Sequence, residues 1–160
     1  MNKTLFLLYF LLLLAGISCS EAPYFREDQN TPNGWEIDQP IVFNFQDPLD
    51  VPADVFIHLR NDEEYPFSNI FLIASVRSKD SLITSDTLEF AMAKPNGEWL
   101  GRGFTAVKES KLWWKENWQA QLPPPYTLEI AQANRFNGRE KAAAQLAGIV
   151  SVGVSINPRE

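Results

Sequence analysis

The chain has 160 residues, 45% hydrophobic and 12% aromatic, with 14 Lys and Arg against 20 Asp and Glu and a net charge of −6. Loss of a leader containing Lys3 deepens this to about −7, which disfavours nucleic acid and anionic membrane surfaces as main partners. Cys19 is the single cysteine and His58 the single histidine, so a mature domain with an acylated Cys19 has no thiol for disulfides or metal thiolates.

The leader is the first element. Met1-Asn2-Lys3 precedes an apolar run from Leu5 to Leu14, followed by the small residues of Ala15-Gly16-Ile17-Ser18 and then Cys19. A charged start, an apolar core and small residues before a cut site make a secretory signal over residues 1–18. Ten apolar residues reach roughly 15 Å as a helix, half of a bilayer core of about 30 Å, so the segment addresses the chain and does not span. A cysteine at the cut site implies a lipid on Cys19, attached to its sulfur. Ser18 fits this reading, whereas Gly16 stands where such signals usually carry Leu. That covalent lipid is the only prosthetic group expected.

Residues 19–34 are polar and contain Pro23, Pro32 and the Asn33-Gly34 turn pair, which reads as a lipidated N-terminus and flexible tether. From Trp35 to residue 160 the chain reads as one domain of short strands. Ile41, Phe43 and Phe45 alternate with Val42 and Asn44. Val55, Ile57 and Leu59 alternate with Phe56, His58 and Arg60. The same period of two runs through Ile70–Arg77, Leu88–Ala93, Thr127–Ala131 and Val150–Ile156. Turn chemistry separates them at Asn61-Asp62, Tyr65-Pro66, Lys79-Asp80 and Pro95-Asn96-Gly97. Two stretches depart from the pattern. Glu109–Gln119 suits a short helix with Trp114 and Trp118 one turn apart. Arg139–Ala147 is rich in helix formers and stops at Gly148. The expected fold is mainly β: a two-layer antiparallel sandwich of about seven to nine strands with one or two short helices.

Catalytic residue types are scarce. His58 sits in a strand pattern with no nucleophile-elbow serine in the chain to serve it. One His and no free thiolate do not make a zinc site. Asp47, Asp50 and Asp54 crowd one loop, but their spacing lacks the central Gly and closing Glu of a calcium loop. Asp62-Glu63-Glu64 reads as a solubilising hairpin tip, and Arg60 and Arg135 as strand-end cations paired with acids. No catalytic residue and no metal ligand is assigned. Trp35 and Trp99 read as core or core-edge residues. Trp113, Trp114 and Trp118 cannot all face one side of a helix, so one or two of them are expected to be partly exposed. They are the candidate contacts for a protein partner or, alternatively, a glycan.

Several stretches carry a resemblance. His58-Leu59-Arg60-Asn61-Asp62 and then Tyr65-Pro66-Phe67-Ser68-Asn69-Ile70-Phe71-Leu72 form the first block. Asp86-Thr87-Leu88-Glu89-Phe90, followed by Gly97-Glu98-Trp99-Leu100-Gly101-Arg102-Gly103, forms the second. Arg135 with Leu146-Ala147-Gly148-Ile149-Val150-Ser151-Val152-Gly153 forms the third. In this order, after a signal ending at Cys19, they resemble the gliding motility lipoprotein GldH family of Bacteroidetes. The resemblance implies an envelope lipoprotein held in the outer membrane through acylated Cys19. It implies partners among the proteins of gliding and the linked type IX secretion apparatus, with no enzymatic activity. The Trp113–Trp118 segment and the Ala142-Ala143-Ala144 run match no pattern of that family.

Overall fold

The computed structural model describes residues 23–134 and 144–159. Every regular element among them is a strand: β1 (Phe25–Asn30), β2 (Trp35–Glu36), β3 (Ile41–Phe45), β4 (Ala53–Asn61), β5 (Asn69–Ser78), β6 (Ser81–Ala91), β7 (Lys108–Trp118), β8 (Tyr126–Gln132), β9 (Gln145–Leu146) and β10 (Ile149–Pro158). Two four-stranded antiparallel sheets, ordered β1-β10-β4-β7 and β3-β8-β5-β6, form the layers, and β2 pairs with β9 as a short ribbon.

The alternation in the sequence becomes the core directly. Val55, Ile57 and Leu59 of β4 and Val152, Val154 and Ile156 of β10 point inward from one sheet. Ile70, Leu72, Ala74 and Val76 of β5, with Leu128 and Ile130 of β8, meet them from the other. Each fully buried aliphatic side chain contributes roughly 1.5–3 kcal/mol of transfer free energy. Trp35 is 1% exposed, and its indole N–H donates to the Gln39 carbonyl at 3.1 Å. Trp99 packs half-buried against the same core.

The two ends of the sandwich are built differently. At the end where β1 begins, the rings of Tyr24, Phe25 and Tyr126 gather around Phe45, with centroids 4.9–6.3 Å away. At the opposite end, Tyr65 donates to the Asn69 carbonyl at 2.7 Å, and Asn134 Oδ1 accepts the Phe71 N–H at 2.8 Å. Burial pushes the Tyr65 phenol up. Gly148 lies against this knot at φ +73°, where a Cβ would stand 2.1 Å from the Tyr65 nitrogen. Only glycine suits that backbone angle and that space.

Three expectations change. Glu109–Gln119 is not a helix, because Lys108–Trp118 forms β7 beside β4. Ser110, Leu112 and Trp114 face the core while Lys111 and Trp113 face out. Pairing with β4 therefore overrides a segment whose charges and tryptophan spacing also suit a helix. Residues 25–30 of the expected tether are not tether, because Phe25–Asn30 is β1 and pairs with β10 over six residues, and residues 19–22 lie outside the described residues. Residues 139–143 of the second expected helix lie outside the described residues, while Gln145–Leu146 forms β9. Gly148 does follow as the turn residue.

Candidate functional site

Cys19 and Arg135 lie outside the described residues. Phe25, the first residue of β1, stands six positions after Cys19. Extended chain covers at most about 20 Å over that stretch, so the ring cluster around Phe45 marks the end of the domain nearest to Cys19. Strand β5, ten residues long, carries the opposite end roughly 30 Å further away.

The three tryptophans of β7 take three different environments. Trp114 is 7% exposed and donates its indole N–H to Asp86 Oδ2 at 3.0 Å. Lys115 Nζ reaches the same oxygen at 2.8 Å. Burial acts upward on the Asp86 carboxyl, but the hydrogen bonds from Lys115 and Trp114 outweigh it and hold the group below the usual range. Trp118 packs half-buried against the core after Asn117, whose φ of 48° turns the chain at the β4–β7 irregularity. Trp113 alone is well exposed, at 49%. Its ring lies 4.9 Å from that of Phe56, and its indole N–H donates to the Lys115 carbonyl at 3.1 Å. Lys111 Nζ lies 3.8 Å over the other part of the pair, the Phe56 ring, an arrangement worth about 0.5–1 kcal/mol at an exposed position. The candidate contacts thus reduce to Trp113 with Phe56 and Lys111. No row of tryptophans forms a flat platform for a sugar.

Beside this patch, on the same outer face, His58 is 3% exposed. Sequence alternation places it outward, and neighbouring side chains bury it. Its Nε2 lies 2.8 Å from Ser155 Oγ, and its Nδ1 lies 3.4 Å from Glu109 Oε1 without hydrogen-bond geometry. Arg26 joins Glu109 at 3.2 Å and Asp28 at 3.0 Å, and Asp28 folds over Gly153, where a Cβ would stand 2.1 Å from its carboxylate. Burial, reinforced by the Arg26 charge, lowers the His58 pKa against the opposing pull of Glu109 and Asp28. The ring is therefore neutral near pH 7, and the Ser155 hydroxyl it meets is itself 2% exposed, closed off from any substrate.

The other acidic candidates are structural. Asp54 accepts the Asn117 N–H at 2.9 Å and pairs with Arg159 at 2.7 Å. Burial pushes its carboxyl up, but these two partners outweigh that and lower it. Asp62 accepts the Glu64 N–H at 2.9 Å in the turn between β4 and β5. Arg60 stands exposed, opposite Glu109 in the ladder, while the Glu109 carboxylate turns to Arg26 and His58.

One region shows in the sequence without showing its role. The loop from β6 to β7 exposes Leu100 at 48% and Phe104 completely, and with β7 it borders a groove of about 610 Å³. The Gly-Arg-Gly run lets this loop lie close to β7, because a Cβ at Gly101 would stand 3.0 Å from the Glu109 carbonyl, and one at Gly103 would stand 2.5 Å from the Val107 carbonyl within the loop. The signal lay in the sequence as a turn motif. Its meaning depends on where β7 runs, which a helical reading conceals.

The stretches that carry the family resemblance converge at the end away from the anchor: Tyr65, Asn69, Trp99, Gly101 and Gly148 all lie there, with the Tyr65 and Trp99 rings 6.1 Å apart. A family model described as GldH lipoprotein matches residues 23–156. A "Gliding motility lipoprotein GldH homolog" of Christiangramia forsetii is 39% identical over 155 residues, covering 96% of this chain and 94% of its own. "Gliding motility lipoprotein GldH" of Flavobacterium johnsoniae is 36% identical over 155 residues, covering 94% and 96%. Among solved structures, a subviral particle of infectious bursal disease virus VP2 aligns at a TM-score of 0.32 and 14% identity, over 86% of this chain and 34% of its own, a likeness that carries no weight. With the match running from just before β1 into β10, the chain belongs to the GldH lipoprotein family and is a lipid-anchored protein of the cell envelope.

Proposed function

We propose that the chain is a non-catalytic docking component of the gliding-motility machinery and its linked type IX secretion apparatus, held in the outer membrane by a lipid on Cys19. The observation that carries this reading is the placement of its chemistry. The titratable side chains of the outer sheet face, His58, Arg26, Asp28 and Glu109, are spent on one another, while the apolar groups Trp113 and Phe104 face solvent. Exposed aromatic groups of this kind are anchors for protein partners. The names of the two relatives support the gliding role.

Cys19→Ser should move the protein from the membrane fraction to the soluble fraction, with the domain still melting cooperatively. Retention of the variant in the membrane fraction would rule out Cys19 as the anchor. Deletion of the gene should abolish gliding and impair secretion through the linked apparatus, and a deletion strain with normal motility and normal secretion would remove the docking role.

A further inference from the structure

We infer that the free edge of β7, together with the groove beside it, binds an extended acidic and apolar peptide segment of a partner protein, which adds a short strand to the β1-β10-β4-β7 sheet. This rests on the docking role above and names how the docking is done. β7 is the last strand of its sheet. In an antiparallel ladder, residues alternate between bonding one neighbouring strand and the other. Glu109 exchanges both backbone hydrogen bonds with Arg102, at 2.8 Å each way, so Glu109, Lys111 and Trp113 turn their N–H and C=O groups away from β4. The loop satisfies this edge only at Glu109. Before Arg102 the loop runs at β6, where the Leu100 N–H donates to the Met92 carbonyl at 2.9 Å. Lys111 and Trp113 are therefore left with no strand beside them among the described residues.

Chemistry at the same place selects the occupant. The groove is bordered by Leu100, Phe104 and Leu112, with Ser110 below. Ser110 is 7% exposed, and its Oγ has no hydrogen-bond partner, a buried polar atom waiting for a donor or acceptor. Arg102 and Lys111 also line it and make no ion pair among the described residues, whereas the one acid of the lining, Glu109, turns its carboxylate to Arg26 and His58. The volume alone suits many ligands, but a row of unpaired backbone groups suits an extended chain, which binds by main-chain hydrogen bonds and is selected by alternate side chains. Apolar side chains of the peptide would cover Leu100, Phe104 and Leu112, and its acids would meet Arg102 and Lys111.

The test uses the full-length lipoprotein in detergent and eight-residue peptides that alternate Val with Asp or Val with Lys. The Val–Asp peptide should bind and slow hydrogen exchange of the Lys111 and Trp113 amides by at least about tenfold, and the Val–Lys peptide should not. Lys111→Pro removes the outward N–H of an edge strand together with the ammonium group and should weaken binding at least about tenfold, whereas Lys111→Ala removes the ammonium but keeps that N–H and should weaken it less, the difference measuring the backbone bond. Should Lys111→Pro fail to fold, Leu100→Ser with Phe104→Ser alters exposed groups alone and should give the same loss. Equal binding of both peptides, binding without protection of these two amides, or amides already protected in the free protein by its own chain or by a second copy seen in sedimentation would each overturn the inference. In cells, the two readings part company. Lys111→Pro with normal gliding beside a non-gliding deletion strain overturns the edge inference and leaves the docking role standing, while a gliding deletion strain removes the docking role itself.

Discussion

The two ends of the sandwich solve the same problem by different physics. The end nearest to Cys19 closes with apolar area: Tyr24, Phe25, Phe45 and Tyr126 share their contacts, so no one of them is indispensable. The far end closes with geometry, through one glycine at a positive φ and one asparagine that serves a buried backbone N–H. Redundant area tolerates shape changes that conserve volume. Single-atom fits do not. The far end is also where the family's motifs and the open groove lie, so the precise fits stand beside the proposed docking groove.

Substitutions can break this comparison. Gly148→Ala should cost the most, about 4 kcal/mol or more, because the new methyl meets the Tyr65 backbone and the φ is strained as well. Loss of the cooperative melt is the expected readout. Asn134→Ala should cost about 2 kcal/mol in urea unfolding, since it strands the Phe71 N–H in a buried setting. Phe45→Leu at the anchor end should cost less than either, about 1.5 kcal/mol. A larger loss for Phe45→Leu than for Gly148→Ala would reverse the comparison.

The outer sheet face supplies two smaller tests. The folded His58 pKa lies below its unfolded value of about 6.5, so the unfolded state binds the extra proton between the two. Stability should therefore be complete above about pH 6.5 and decline as the pH falls below it, before carboxylates titrate near pH 4. His58→Gln should flatten that first decline in a series of urea melts. Trp113→Ala should change stability least, within about 1 kcal/mol for a half-exposed ring, while weakening in-cell cross-links to partner proteins.

How much of this was legible in the sequence depends on the range of the cause. The inward faces of β4, β5 and β8 follow from side chains two positions apart, and their alternation gives them away. β1 reads Phe-Arg-Glu-Asp-Gln-Asn, with one apolar residue. Its strand character comes from β10, more than a hundred positions later. β7 carries period-two and helical signals together, and only the β4 ladder decides between them. That decision also fixes which tryptophan is exposed. The sequence allowed one or two to be partly exposed, and the strand turns Trp113 outward, Trp114 inward and Trp118 to the core margin. The Tyr65–Asn134–Gly148 knot joins residues tens of positions apart, so no local pattern announces it, although the motifs that contain Tyr65 and Gly148 were visible.

The pairing of β1 with β10 has a mechanical consequence. Under the proposed anchoring at Cys19 and docking at β7, tension between partner and bilayer would enter the domain along β1, parallel to its length. Because antiparallel hydrogen bonds lie across the strands, such a pull loads the six residue pairs from Phe25↔Ile156 to Asn30↔Ser151 together, in shear, instead of opening them one at a time. The force then passes sideways through β10 and β4 to β7. The anchor strand and the proposed docking strand are the two margins of one sheet, so the hydrogen-bonded ladder between them is the load path.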